Sequence, residues 1–404
     1  MLIWIENEEM SKLLPQCMNS RRPITIEAEI SCEKVQAIAA STNPAYYSQT
    51  FERSHELNIG SARLAYQRMQ ANGINIPDNR QSARLLEVLS EKPDKLRDNR
   101  EDFASREFLD ELDTLEALFA AGKITKDVEA VEAARRELLA ARQRAREEGT
   151  PVPKQTSPRN PELKRLNLLR YRYKDLGRKY EERKRLWLGV DEIHSLQRKA
   201  AEVSETERPA VDEKITELMA VWNEDLEQLS AEEHMNVISG ADNIRALQTT
   251  PPILLWDRRD FEPLEAGASE FLPAWPMCLL DFQPKAMWPV LRENFPDNYD
   301  VLELMISHLM MVPTQSLRRG LSALTPGAYE YLIDECPSLT DPLKGGSANP
   351  DDMSVRRLTT EMYKEIIEAW VRWPFKPSRY EVMSKMGSEP FSDADGTDMD
   401  GKGL

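Results

Sequence analysis

The residues best suited to holding a ligand lie between Pro161 and Leu188, where ten Lys and Arg against four acids give a local charge of +6. Tyr171, Tyr173, Tyr180 and Trp187 are interleaved with them. Cations at this density can neutralise phosphates, and rings among them can stack on bases. Arg170, Arg172, Lys174 and Lys179 are therefore candidate nucleic-acid contacts. The same stripe also fits a solvated helix face whose aromatics pack inward and whose charges pair with acidic helices to either side. Two smaller basic pairs, Arg258-Arg259 and Arg318-Arg319, pose the same choice between phosphate contact and surface ion pair.

Catalysis finds no comparable support. There is no Gly-x-Ser-x-Gly, no Walker loop and no nucleophile with a base at a recognisable spacing. The four cysteines (Cys17, Cys32, Cys278, Cys336) and four histidines (His55, His194, His234, His308) are scattered, without metal-ligand spacing, so no metal site is expected. Met305, Met310 and Met311 near His308 read as a packing helix. Sixteen glycines in 404 residues is few, and the one Gly-x-Gly is Gly401-Lys402-Gly403. A loop that cradles phosphate needs glycine where backbone approaches the ligand, which argues against a self-contained nucleotide-binding domain. The net charge of −16 and pI near 5.0 exclude a protein that coats nucleic acid with its whole surface. No apolar run suits a membrane span, and the acidic start Met1 to Met10 reads as no import address.

The elements that would position these residues follow from periodicity. Glu6 to Met18 reads as the end of a helix closed by Pro15. Apolar residues at 24, 26, 28 and 30 have period two and predict a strand, after which Ser31 caps a predicted helix carrying Val35, Ile38 and Ala39. From about Tyr46 to Asn243 the chain is charged and helical: Phe108, Leu112, Leu115 and Phe119 form one seam, and Ser-x-x-Glu boxes predict helix starts near 205 and 231. Three internal prolines make 149–161 a linker. Short apolar runs at 253–256 and 277–283 predict two strands. Helices are then expected over 301–311, 315–324 and 359–373, and an acidic disordered tail after about Gly387.

The segment Phe271-Leu-Pro-Ala-Trp-Pro-Met-Cys-Leu-Leu-Asp-Phe-Gln-Pro-Lys285 resembles a strand entry near the end of the rRNA adenine dimethyltransferase fold. The run from Gln315 to Leu324 resembles the Lys-x-Leu-Arg-Asn-x-Leu helix of that family's C-terminal domain. Leu-Leu-Trp-Asp-Arg-Arg, Leu-Leu-Asp-Phe-Gln-Pro-Lys and Trp-Pro-Phe-Lys-Pro are similar to the fungal mitochondrial transcription factor B branch of this superfamily. The resemblance implies a mainly α chain with a small β component. It would comprise a remnant of a Rossmann-like methyltransferase domain (1–45), a charged helical insertion (46–250), late strands (251–285), a helical C-terminal domain (286–386) and a tail (387–404). It also implies a mitochondrial-matrix factor that works with a single-subunit RNA polymerase on promoter DNA, or on rRNA, without a membrane. The family's glycine loop, acidic ribose-binding residue and Asn-x-Pro-Tyr-like loop should precede Ile24 and are absent, so neither catalytic nor cofactor residues carry over. No enzyme activity and no bound cofactor are expected of these residues, and S-adenosylmethionine is expected only if the glycine-bearing half exists. The chain therefore reads as an N-terminally incomplete member, through a late gene-model start or a true truncation, with Ile24, Ile26, Trp256 and Leu279 left to expose apolar surface. Arg318 alone matches a nucleic-acid-facing family position; Arg319, Arg258, Arg259 and Lys285 join it as candidates by charge. An rRNA adenine N6-methyltransferase lacking its catalytic half, and a helical scaffold built on 100–240, are the alternatives.

Overall fold

The computed structural model describes residues 1–41, 53–90, 98–124, 136, 139–145, 161–204, 206–378 and 380–381. The chain divides into two compact units, Met1–Ser90 with Leu186–Leu404, and Glu91–Arg185. The linker expected near 149–161, apart from Pro161, and the tail after 387 lie outside the described residues. Mainly helical structure with one small sheet agrees with the expected class. The stretch 46–250 does not form one body. Arg53 and Ser61 bond to Asp257, and Asn243 bonds to Met18, so both ends of that stretch belong with the sheet.

In the first unit β1 (Leu2–Glu6), α1 (Asn7–Leu13), α2 (Pro23–Ser31) and β2 (Cys32–Ala40) open the chain. β3 (Leu264–Ala266) and β4 (Met277–Pro284) complete a sheet of order β1-β4-β2-β3. β4 pairs antiparallel with β1 and with β2, while β2 and β3 are parallel. Three strands thus share one direction and β4 opposes them. Ile5, Cys278, Leu280 and Phe282 meet Met10, Leu14, Leu255 and Trp256 on one face. On the other, Trp4, Leu279, Ile38 and Leu264 stand opposite one another, one from each strand.

Two expectations at the N-terminus are reversed. The predicted strand at 24–30 is α2: Pro23 starts it, the Thr25 hydroxyl accepts the Arg22 N–H (3.2 Å), and Ile26 and Ile30, one turn apart, are the residues that pack inward. The predicted helix from Ser31 is β2, because pairing with β4 and β3 supplies its backbone partners. Ile26 and Trp256 are buried rather than exposed, Ile24 is exposed, and Leu279 is half-buried. The predicted strand at 253–256 is instead a 3-10 turn, Leu255–Arg258, and the helix expected from Glu6 is preceded by β1.

The C-terminal helices follow their periodicity. α9 (Pro289–Glu293), α10 (Asp297–Met310), α11 (Leu317–Leu324), α12 (Ala328–Glu335) and α13 (Thr360–Arg372) surround one core containing Met305, Leu321, Tyr363, Ile366 and Trp370, and Ile26 of α2 enters it. Ser316 and Thr359 cap α11 and α13. α3 (His55–Asn72) and α4 (Ala83–Leu89) share a small cluster through Met69 and Leu85. α7 (Arg208–Glu227) and α8 (Ala231–Gln248) pack on residues 186–202 of α6 (Pro161–Glu202) through Leu186, Leu226 and Val237. Ser230 caps α8 as expected, whereas α7 starts three residues beyond its predicted position. The Trp187 indole donates to Val237 O and lies so close to α8 that a Cβ added at Gly240 would clash with its Nε1.

Buried charges join these parts. Asp242 accepts from Ser354 Oγ and Arg356 Nε, both at 2.7 Å. Arg356 also reaches Asn19 (2.6 Å). Arg21 donates to the carbonyls of Arg356 (2.7 Å) and Leu358 (2.6 Å) and to Glu29 (2.7 Å). Burial pushes Arg357 down to about 9, with Arg245 adding repulsion. Burial likewise pushes His194 down to about 4; its Nδ1 bond to Gln248 (2.8 Å) opposes the shift, and Arg357, Arg245 and Arg198 add to it.

Asp242→Ala, which removes the carboxylate partner of the buried Arg356 guanidinium, should cost about 3–5 kcal/mol of unfolding free energy in denaturant titrations. His194 is neutral when folded, whereas unfolded it titrates near 6.5. Its contribution is therefore whole above pH 6.5 and is lost as pH falls towards 4. His194→Gln should flatten the decline in melting temperature across that window; an unchanged slope would contradict the assignment.

Candidate nucleic-acid interface

The second unit is built on α5 (Arg106–Ala120) and residues 161–185 of α6. Ser105 caps α5. Leu112 is buried with Leu166 and Leu169, and Phe108, Leu115, Phe119 and Tyr173 complete the seam that the spacing predicts. Phe103 takes Tyr173 and Tyr180 against its ring at 5.4 and 5.8 Å.

This packing decides which cations of the basic stripe are committed. Arg165 makes a two-pronged bond to Glu111 (2.6 and 2.6 Å), and Arg170 one to Glu116 (2.6 and 2.5 Å) while lying 4.9 Å over the Phe119 ring. Arg100 holds Asp113 in the same way. These guanidinium hydrogen bonds keep Glu111, Glu116 and Asp113 below the ordinary carboxylate range. Lys179 pairs with Asp175 (3.4 Å), as does Arg178 (3.0 Å). Pairing thus accounts for part of the stripe, Arg170 with the acidic α5 and Lys179 with Asp175 of its own helix.

The rest faces solvent, together with Arg178, which stays 67% exposed although it is paired. Lys164, Leu168, Tyr171, Lys174 and Arg178 recur at steps of four, three, three and four and are all exposed, Tyr171 by 71%. Arg172 flanks them. At about 1.5 Å per residue the row is about 21 Å long. Among the described residues Lys164, Arg172 and Lys174 have no side-chain partner. Lys164 was not singled out from sequence, whereas Tyr171 was named among the rings that can stack; the signal that sets both on one helical face is the i, i+7 repeat from 164 through 171 to 178.

The candidates of the first unit diverge. Arg319 on α11 is exposed, and Ser316 Oγ caps its backbone N–H. Arg318 bonds Asp351 (2.9 Å) and lies 4.6 Å over the Tyr329 ring, still half-exposed. Lys285 bonds the Glu29 carbonyl (2.9 Å) and the Glu33 carboxylate (2.8 Å). Arg258 is turned onto the carbonyls of Pro252 and Ile253. Arg259 is buried: it bonds Ser61 Oγ (2.8 Å), the Trp256 carbonyl (2.7 Å) and Glu262, and lies 4.0 Å over the Trp256 ring. A nucleic acid cannot reach it, so as a contact it is corrected. Its neighbour differs because residue 259, not 258, points into the core beneath α3.

Among the described residues no three His, Cys, Asp or Glu cluster as metal ligands, and no helix is long and apolar enough to cross a membrane. The glycines with left-handed backbone, Gly73, Gly122, Gly327 and Gly345, sit at helix ends and turns. Gly267, which follows β3, has φ −74°. Comparison of the chain with protein families, curated proteins and solved structures finds no match.

Arg259→Ala should cost about 3–5 kcal/mol by leaving Glu262 buried and unpaired, whereas Arg319→Ala should change stability by less than about 0.5 kcal/mol. Chemical denaturation of both variants distinguishes a structural arginine from a free one.

Proposed function

We propose that the chain is a mitochondrial transcription initiation factor that assists a single-subunit RNA polymerase by binding promoter DNA and helping to melt it, in the mitochondrial matrix. The observation that carries the binding is the solvent-facing row Lys164–Tyr171–Arg178 with Arg172 and Lys174 beside it, a local cationic and aromatic surface on an acidic protein. The choice of polymerase, promoter and compartment rests on the resemblance of Leu254 to Arg259, Leu279 to Lys285 and Trp373 to Pro377 to the transcription factor B branch. The same resemblance reads the sheet as the late part of a Rossmann-like domain. What supports that reading is the common direction of β1, β2 and β3, joined through helices, with one antiparallel strand among them.

A net charge of −16 disfavours tight binding of a polyanion by the protein alone, and holding open a short bubble costs about 1.4 kcal/mol per base-pair step. The factor therefore acts with a partner that supplies the rest of the affinity. Run-off transcription by a mitochondrial RNA polymerase, with and without the protein, is the deciding experiment. Stimulation that falls in the Lys164→Gln/Arg172→Gln/Lys174→Gln variant is expected, and no stimulation on any promoter would end the reading. In filter binding with polymerase present, the triple variant should make the dependence of log affinity on log salt shallower by about 2–3, at about 0.9 per lost phosphate contact. Equal retention of an rRNA hairpin would instead favour RNA as the ligand.

A further inference from the structure

The two edges of the sheet differ. At β3 the outer edge is shielded: the Glu265 carbonyl accepts from Arg80 (3.0 Å), its carboxylate accepts the Ala83 N–H, and Leu264 packs with Met69 and Leu85. At β1 the outer edge is open. The Asn7 N–H donates to Pro276 O and the Phe282 N–H to Met1 O, so the odd-numbered residues are the ones that bond to β4. The N–H and C=O groups of Leu2 and Trp4 therefore point away from the sheet, and among the described residues nothing bonds to them. An open edge is a template for another strand, and proteins ordinarily blunt one with Lys, Pro, a bulge or a covering element. Leu2-Ile3-Trp4-Ile5 carries none of these devices. α1 leaves β1 at Asn7 and joins the packed face through Met10, while Leu2 and Trp4 stay 67% and 46% exposed.

The strand that fits this edge is β1 of a second copy. Set antiparallel about a two-fold axis at Ile3, two copies place Leu2 opposite Trp4 and Ile3 opposite Ile3. Leu2 and Trp4 then exchange their outward N–H and C=O groups across the axis, and both pairs are satisfied. The alternation matches as well: Leu2 and Trp4 of both copies share the open face and Ile3 the packed face, whereas a slip of one residue would mismatch both. Leu2 of each copy lands on the Trp4 ring of the other, which already meets Phe271 edge-on at 5.2 Å. Cross-strand contacts of this kind are what stabilise a ladder. Glu6, the one charge in β1, lies beyond the paired residues, so the axis brings no like charges together. The charge of −16 on each copy is otherwise screened beyond about 8 Å at physiological salt. The shielded edge at β3 ends growth at two copies, a closed two-fold pair.

We propose that the chain self-associates through β1, two copies joining their four-stranded sheets edge to edge with Ile3 on the two-fold axis. The interface is separate from the row on α6 and does not depend on what that row binds. Sedimentation velocity on the full chain at physiological salt should show the mass rising from one chain to two with concentration. Leu2→Pro and Trp4→Pro each remove an outward N–H and leave the bonds to β4 in place, the former at the first residue of the strand, where proline is tolerated. Each should raise the dissociation constant at least tenfold with an unchanged circular dichroism spectrum. Ile3→Cys sets two thiols on the axis with Cα atoms about 4.5 Å apart, within disulfide reach, so mild oxidation should give a covalent dimer. Ile5→Cys, on the same face but about 14 Å from its copy, should give none. The mass of one chain at every concentration up to about 100 µM would overturn the proposal. So would a dimer that either proline variant leaves unchanged, or equal cross-linking at positions 3 and 5.

Discussion

Arg21, Arg356 and Arg357 lie away from water, and a guanidinium in that position is tolerated only where acceptors surround it. The acceptors come from segments far apart in the chain: Glu29, Asp242, and the carbonyls of Gly345, Asp352, Arg356 and Leu358. The register of α2, the seating of α8 and the path of 345–358 are consequently fixed together. Arg53 on Asp257 and Arg259 on Ser61 do the same between α3, with the residues just before it, and the turn that follows α8. A core of leucines alone could slide by one residue at modest cost; these pairs could not, because each slip would bury an unpaired charge.

The parts of the fold that were legible in sequence are those in which one face of one element does the work. α5, α10, α11 and α13 have an apolar stripe, a Ser or Thr cap in three cases, and a core to meet it. The sheet was less legible. In β2 the side chains turned towards the packed face include Lys34, which reaches the Leu13 carbonyl, and Gln36, so the buried face reads as polar. Burial lowers the Lys34 pKa, with Glu29 and Cys32 opposing and Arg21 and Lys285 reinforcing the shift. In α2 the alternation at 24, 26, 28 and 30 is coincidental, since Ile24 is exposed. Short apolar runs are ambiguous for the same reason: Leu254 and Trp256 are buried by a turn, not by a ladder.

The basic stripe of α6 was visible in composition, yet composition could not say which cations are spent within the protein. That division depends on α5, whose Glu111 and Glu116 stand where Arg165 and Arg170 can reach them. Arg258 and Arg259 make a similar point at closer range: adjacent residues of one type turn, one to its own loop and the other into the core. Any polyanion surface on this chain is what remains after internal pairing, and its position is therefore set by the acids as much as by the bases.

The contact between Gly240 and Trp187 carries an evolutionary consequence. Because no Cβ fits beneath the indole as it now lies, the two positions are coupled: a relative with any side chain at 240 must carry a smaller or re-oriented side chain at 187, or a displaced α8. Such paired change, sought across distant sequences, would trace the descent of this helix pair where overall similarity has faded.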